Sequence, residues 1–432
     1  MENKMKRADK VAILGAGFTG LSAAYTLLKK GYKVTIFEKE SELGGLAIGF
    51  SNPKWRWTLE KAYHHWFTND QAAFNLTREL RHKVIIKRPS TDVLVNGKRF
   101  PFDSPKSLLT FIPLPIIDRL RVGISLLYLK LINRYDKFEN KFALSWIKRF
   151  MGERAAKMLW EPLFSGKFGS YKDNIALSWF WARIKKRTPR LAYPEGGFKA
   201  FADRLGEEIK KMGGEILTGT SVTSLSAGKN VRIKTGAKKL IFDKAIITLP
   251  SPIFAKITTN LPKTYVKKIC SIPHLHALVL ILVLKKPFME KTYWLNITDS
   301  SFPFLIIAEH TNFMDPKHYG GKHIIYIGNY LPSDHPFLKM TAKSILKKFD
   351  PYLKKINPTY HLSLITYHKF VGPFAQPIVT TNYKDLIPTF KTPLKNVYLA
   401  NLDMVYPWDR GTNYAIEMGG AIAEIISREI IV

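Results

Sequence analysis

The segment VAILGAGFTGLSAA, Val11 to Ala24, constrains the fold more than any other part of the chain. Gly15, Gly17 and Gly20 follow an apolar run that reads as a strand over Lys10 to Leu14. They open a segment that reads as a helix over Gly20 to Lys30, closed by Gly31. A second strand, Lys33 to Glu38, completes a βαβ unit. In this setting Gly15 permits a tight turn, Gly17 lets backbone approach a pyrophosphate, and Gly20 lets helix and strand pack closely. The helix start, with Thr19 in its first turn, offers free N–H groups and a positive dipole end to phosphate oxygens. Glu38, at the tip of the second strand, is placed to accept hydrogen bonds from an adenosine ribose and to repel the extra phosphate of NADP. The unit therefore reads as a site for NAD or FAD.

A chain of 432 residues, 46% of them hydrophobic, is long enough to divide into two lobes. Its 67 Lys and Arg against 34 Asp and Glu give a formal charge of +33. Such a field draws anions: a cofactor pyrophosphate, a phosphorylated substrate or an acidic lipid surface. Nucleic acid is not an expected partner, because the basic residues are scattered in pairs such as Lys185 and Lys186 and form no arm or reader motif.

Membrane contact has a candidate in LLTFIPLPIIDRLRVGISLLYLKLI, Leu108 to Ile132, where apolar side chains mix with Arg119, Arg121 and Lys130. It reads either as an interfacial helix on an anionic membrane or as an amphipathic helix packed on the protein. No apolar run is long enough to span a bilayer, and HALVLILVL, His276 to Leu284, reads as a buried strand. The charged start MENKMKRADK carries no signal-peptide pattern. The single cysteine, Cys270, allows neither an internal disulfide nor a cysteine metal cluster. The expected location is the cytoplasm, extended to peripheral contact with the inner face of the membrane; no metal site is expected.

Further along, a mostly helical, aromatic-rich stretch runs from about Ser104 to Lys186, and FDKAIITLP, Phe242 to Pro250, reads as another buried parallel strand. Strand-like aromatic segments fill Ser271 to about Asn382, and the chain closes with a strand, an irregular loop and a helix. The pattern Gly15, Gly17, Gly20, Ala24, Glu38, Gly44, Gly45 resembles the extended FAD-binding signature of the flavin-containing amine oxidase and protoporphyrinogen oxidase superfamily, whose paired glycines follow the ribose-binding acid. YPEGGFKAFADRL is similar to that superfamily's return to the flavin lobe. TSVTSL resembles the strand whose backbone, here at Val222, meets the adenine. AIITLPSPI resembles the next strand, here ending in Leu249 and Pro250.

The C-terminal segment is similar to the last family motif, which holds pyrophosphate, ribityl chain and isoalloxazine; Asp403, Arg410, Asn413 and Tyr414 are the contacts implied there. Lys39 and Leu46, beside Glu38, Gly44 and Gly45, are further cofactor contacts that the resemblance implies. LEKAYHHWFTND, WEPLFSGKFG and VYPWDRGTNYAI most resemble a bacterial branch with no defined substrate. The resemblance has departures. Leu46 stands where an arginine is common, and Ala400, Asn401, Leu402 and Asp403 replace the usual alanine, glycine and acid. No cysteine lies in that motif, which implies FAD held without a covalent link.

The expected fold is α/β. A discontinuous Rossmann-like FAD-binding domain (1–90, 190–268 and 393–432) carries an inserted α+β substrate domain (91–189 and 269–392) with a helical section. A flavin carries the redox chemistry itself, so the protein has to position substrate and exclude competing reactions. Candidate catalytic residues are Tyr63, His64, His65, Glu309 and Tyr414, with His310 and Tyr330 beside them. Histidine titrates near neutral pH, so His64 or His65 suits a general base, and equally suits a structural hydrogen bond. Glu309 and His310 point to opposite faces if strand-borne, so only one can face a pocket. Arg410 suits a flavin phosphate or a substrate anion as a planar fork, or an ion pair with Asp409. Trp55, Trp57, Trp66 and Phe67 suit the wall of an apolar tunnel or the core.

Three functions fit. The first is an FAD-dependent oxidoreductase acting on a C–N or C–C bond of a small molecule. The second is a redox-neutral flavoenzyme like UDP-galactopyranose mutase, acting on a nucleotide sugar. The third is a catalytically silent flavin-bound protein docked on a membrane. UDP-galactopyranose mutases and carotenoid desaturases share the implied fold class and cofactor.

Overall fold

The computed structural model describes residues 9–429. Its first strand, Lys10–Leu14, pairs in parallel with Lys33–Phe37 on one side and Lys244–Ile247 on the other. Glu215–Leu217 and Val397–Leu399 complete a five-stranded parallel sheet at its two edges. Strands covered on both faces must be apolar throughout, and Val11 to Leu14 and Ala245 to Ile247 are all buried. The helix Phe18–Lys29 begins two residues before the sequence reading, because Gly17 takes an extended conformation and caps it. It packs against the last helix, Thr412–Arg428, so closely that a Cβ on Gly419 would lie 2.3 Å from the Thr19 carbonyl oxygen.

A second sheet has seven strands in the order Leu364–Pro377, His274–Leu284, His323–Leu331, Ile306–Glu309, Thr292–Ile297, Ser90–Val95, Lys98–Pro101. It is antiparallel except where Thr292–Ile297 runs beside Ser90–Val95. The strand read from HALVLILVL starts at His274 and shows why it is apolar at every position. Ala277, Val279 and Ile281 join the main core, while the alternating Leu278, Leu280 and Leu282 pack with Ile345, Phe349 and Leu353 of the helix Ala342–Ile356.

The helical section comprises Pro105–Leu109, Ile116–Leu131, Ala143–Met151, a run from Glu153 to Phe168 and Leu177–Lys186. Within that run, Ala156–Trp160 is wound as a π-helix, a distortion frequent at functional sites. The helix Ile116–Leu131 buries Val122 and Leu129 against the protein. Its opposite face carries Ile117, Leu120, Ile124, Leu127 and Leu131 into solvent, with Ile117 and Ile124 each 69% exposed. Arg119, Arg121 and Lys130 do not share that face freely. Arg119 donates to the Leu109 and Leu114 carbonyls, Arg121 to those of Arg149 and Phe150, and Lys130 to those of Ile184, Lys185 and Arg187. Among the described residues no helix is long and apolar enough to cross a membrane.

Candidate functional site

The parallel sheet reverses its strand order between Lys10–Leu14 and Lys244–Ile247, and the carboxyl ends of those two strands flank the crevice where such sheets bind ligands. The glycine loop lies there. The first intrahelical bond runs from Leu21 N to Gly17 O at 3.0 Å, leaving the N–H groups of Thr19 and Gly20 without helical acceptors. A Cβ on Gly20 would stand 2.0 Å from the Gly15 carbonyl oxygen, so only glycine allows this turn. Gly44 and Gly45 fold back onto the loop. Gly45 has φ +60°, and a Cβ on it would meet Gly17 Cα at 2.9 Å, while Gly44 N donates to Ala16 O at 2.9 Å. Glu38 ends the second strand, its carboxylate accepting from Ala16 N at 2.7 Å and Glu40 N at 3.0 Å. Each oxygen keeps an acceptor site for a ribose hydroxyl. Steric cradle, free helix donors and anchored acid together fit an adenine dinucleotide.

The other expected contacts fall less uniformly. Lys39 points to solvent and pairs with Glu40 at 3.4 Å. Leu46 is 40% exposed and leans towards Gly372. Val222 is not in a strand: it sits in the connection before Ser224–Ala227, half-buried, close to where Thr220 N donates to the Glu38 carbonyl. Pro250 caps the helix Ser251–Ile257 just beyond the Lys244–Ile247 strand. Asp403 does not open towards a ligand. It is fully enclosed, accepting from Ser251 Oγ at 2.5 Å and bonded to His274 Nε2 at 2.5 Å. Asn413 Oδ1 accepts from Ala73 N at 3.1 Å, capping the helix Gln71–Glu79 and tying it to the last helix.

A cavity of about 290 Å³ lies among the helical section, the seven-stranded sheet and the start of the last helix. Tyr63, His65, Trp66, Phe67, Arg410 and Tyr414 all line it. Tyr63 and Tyr330 meet hydroxyl to hydroxyl at 3.3 Å, and burial holds the Tyr63 phenol well above its ordinary pKa. Arg410 donates to Gln376 Oε1 at 2.9 Å, the Ala375 carbonyl at 3.2 Å and the Tyr330 hydroxyl. It does not bond Asp409. That carboxylate pairs with Arg183 and accepts from Trp179 Nε1 at 3.2 Å. Burial alone would raise Asp409, but the charges of Arg183, Lys167 and Arg410 outweigh it and hold the carboxyl at about 2.

Two expectations of acid–base chemistry do not hold. Burial pushes His64 down to about 4 and His65 to about 3, so neither titrates near neutral pH. His64 Nδ1 bonds the Ala62 carbonyl oxygen at 2.8 Å outside the cavity lining, and His65 Nδ1 bonds Tyr293 OH at 3.1 Å. Glu309 also lies away from the cavity. It is fully buried, accepts from Phe288 N and Met289 N at 3.0 and 2.5 Å, and is raised by burial to about 8. Its neighbour His310 bonds Tyr319 OH at 2.6 Å, so neither member of that pair faces the pocket. Of the four aromatics read as a tunnel wall, Trp66 and Phe67 line the cavity; Trp55 and Trp57 pack instead against Tyr319 and His318.

Lys167, Arg183, Lys186, Arg187, Trp179 and Trp294 also line the cavity and were missed as site residues. Lys167 lies inside WEPLFSGKFG, a segment that stood out only by resemblance. Helical spacing puts Lys167 and Phe164 on one side of their helix, but nothing local reveals that this side faces Arg410.

The family model for flavin-containing amine oxidoreductases matches residues 18–426. Mitochondrial protoporphyrinogen oxidase of Nicotiana tabacum is 26% identical over 190 residues, 41% of this chain and 36% of that enzyme. The chain thus aligns with about a third of that relative's length. An oxidoreductase from Methanosarcina mazei superposes with a TM-score of 0.74 at 20% identity, over 97% of this chain and 100% of that one. Reduced UDP-galactopyranose mutase superposes at 0.75 with 16% identity, over 97% and 96% of the two chains. These superpositions establish the shared fold, and the near full-length family match establishes the rest: the chain belongs to the flavin-containing amine oxidoreductases, FAD-dependent enzymes.

Proposed function

We propose that the protein oxidises a C–N or C–C bond of a small-molecule substrate, the bound FAD serving as hydride acceptor. One observation carries this reading: the aromatic cavity ends at Arg410, Gly411 and Thr412, the start of the helix that packs directly on the glycine-loop helix. Gly15, Gly17, Gly20, Gly44, Gly45 and Glu38 would hold the adenine dinucleotide. Trp66, Trp179 and Trp294 give the cavity apolar walls. Tyr63, Tyr330 and Arg410 present hydroxyl and guanidinium groups to a substrate, and the two lining carboxylates are engaged elsewhere, Asp70 with Phe67 N and Asp409 with Arg183. Hydride removal places little demand on a protein base, which agrees with His65 being held neutral. The two sheets support lobes divided as 1–90, 190–268 and 393–432 against 91–189 and 269–392.

Flavin absorbance of the purified protein and anaerobic bleaching by polyamines, porphyrinogens, polyenes and nucleotide sugars test the proposal. Absence of flavin, or a flavin bleached by no member of the panel, would sink it. The excess of basic side chains in the cavity favours a second reading, a redox-neutral rearrangement of a nucleotide sugar. An isomeric product formed by reduced enzyme without net electron transfer would replace the first reading with this one.

We also propose peripheral docking of the Ile116–Leu131 face on an anionic membrane, on the cytoplasmic side where a lone cysteine suits the reducing milieu. An exposed apolar stripe on a chain of charge +33 is matched by acidic lipid, whereas two such chains repel each other. Sedimentation with phosphatidylglycerol vesicles tests it. Ile117→Glu with Ile124→Glu is expected to abolish binding, and unchanged binding would overturn the docking face.

A further inference from the structure

The charges lining the cavity do not balance. Five cationic side chains, Lys167, Arg183, Lys186, Arg187 and Arg410, stand against two carboxylates, Asp70 and Asp409. Both carboxylates are already engaged: Asp70 accepts from Phe67 N at 2.9 Å, and Asp409 is paired with Arg183. Lys186 lies over the Trp408 ring, 4.4 Å from its centre. Lys167 makes no hydrogen bond or ion pair among the described residues; its ammonium stands 4.2 Å from the centre of the Tyr330 ring. The Arg187 side chain likewise has no such partner, and Arg410 bonds only neutral acceptors.

Like charges gathered without carboxylate partners in one cavity repel one another, and an arriving anion relieves them. Burial, reinforced by the neighbouring arginines, drives Lys167 well below the ordinary lysine value, while Arg187 stands at the exposed rim of the cavity. Trp160 adds a neutral donor. It lines the cavity from the π-helical turn, and its buried indole N–H has no partner among the described residues. None of the residues from Gly15 to Gly45 lines this cavity, so these cations are separate from the groups that would hold the dinucleotide pyrophosphate.

We propose that the cavity takes an anionic small molecule, its carboxylate or phosphate held by Lys167, Arg187 and Arg410 and its apolar body laid against Trp160, Trp179 and Trp294. The inference rests on the oxidoreductase reading for the reaction and adds the substrate class. A cationic amine would bring a further positive charge among these groups and is excluded on that ground.

Two pairs that share an aromatic body and differ in headgroup charge test it on the purified holoprotein: indole-3-acetate against tryptamine, and benzyl phosphate against benzylamine. Thermal shift and flavin difference absorbance are the readouts. At least one anion is expected to bind, the carboxylate or phosphate arm identifying the headgroup, with neither amine binding. Lys167→Met and Arg187→Met are each expected to weaken the anion at least tenfold at an unchanged flavin-to-protein ratio. Lys167→Arg keeps the charge and is expected to keep anion binding within a few-fold, which covers the case where the methionine variant does not fold. Amines binding as tightly as their anionic partners, or anion affinity unchanged in both methionine variants, would overturn the proposal. Loss of flavin from both variants would also overturn it by assigning the cations to the cofactor. A protein that purifies without flavin defeats the oxidoreductase reading instead, and its thermal shift with the same four compounds still reads anion selectivity.

Discussion

In the crevice proposed for the dinucleotide, Gly15 to Gly45 form one continuous stretch whose turns, helix start and acid contact one another directly. The neighbouring cavity is gathered from Tyr63, the helical section, Trp294, Tyr330 and the loop before the last helix. The first site is made by backbone shape, with glycines allowing approaches that any Cβ would block. The second is made by side-chain charge and aromatic surface. The crevice should therefore fail through steric intrusion, and the cavity through lost charge, each leaving the other intact.

Gly45→Glu is the largest expected break. It sets a side chain against Gly17, forces an L-residue into φ +60° and puts a carboxylate beside the pyrophosphate donors, so purified protein should lack flavin absorbance. Retained flavin would show that the loop does not shape the crevice. Arg410→Met comes next. Removing this partly buried guanidinium and its hydrogen bonds costs about 1.5–3 kcal/mol, and with that loss on substrate binding kcat/KM drops at least about tenfold while flavin content stays unchanged. Loss of flavin instead would merge the two sites.

Glu38→Ala should weaken FAD by about tenfold to a hundredfold, as expected for hydrogen bonds to a charged group worth about 1.5–3 kcal/mol, and should leave anion binding in the cavity untouched. Equilibrium dialysis of FAD reads the first effect. A fourth prediction concerns pH. His65 is held neutral down to about 3, whereas the unfolded chain takes up its proton near 6.5. Between those values the unfolded state binds more protons, so this contribution is complete above pH 6.5 and is lost as pH falls towards 3. The urea midpoint of wild type should decline on acidification more steeply than that of His65→Gln. Leu46→Arg should have the smallest effect: at a 40% exposed position, flavin retention should be unchanged and stability should shift by less than about 0.5 kcal/mol.

The readings that succeeded rest on local physics. The strand Lys10–Leu14, the glycine turn and the acid at Glu38 follow from apolar runs, turn chemistry and spacing over a few residues. The failures share a cause. His64 and His65 were judged by ordinary solution titration and Glu309 by strand alternation, but which side chains reach the cavity and how they titrate is set by the packing around them. Asp403 and Asn413 have the right chemistry in the right segment, yet Ser251, His274 and the Gln71–Glu79 helix claim their polar atoms. The amphipathic character of Leu108 to Ile132 was legible; that Arg119, Arg121 and Lys130 turn back onto carbonyl groups of the protein was not.

By itself, then, the sequence determined the parallel βαβ start, the paired glycines beside the glycine loop and the family, because each depends on residues close together in the chain or on a distributed motif. Only the tertiary structure decided which cations share one cavity. Arg410 lies far along the chain from Lys167 and Arg187, and their unbalanced charge exists only where folding brings all three to one cavity.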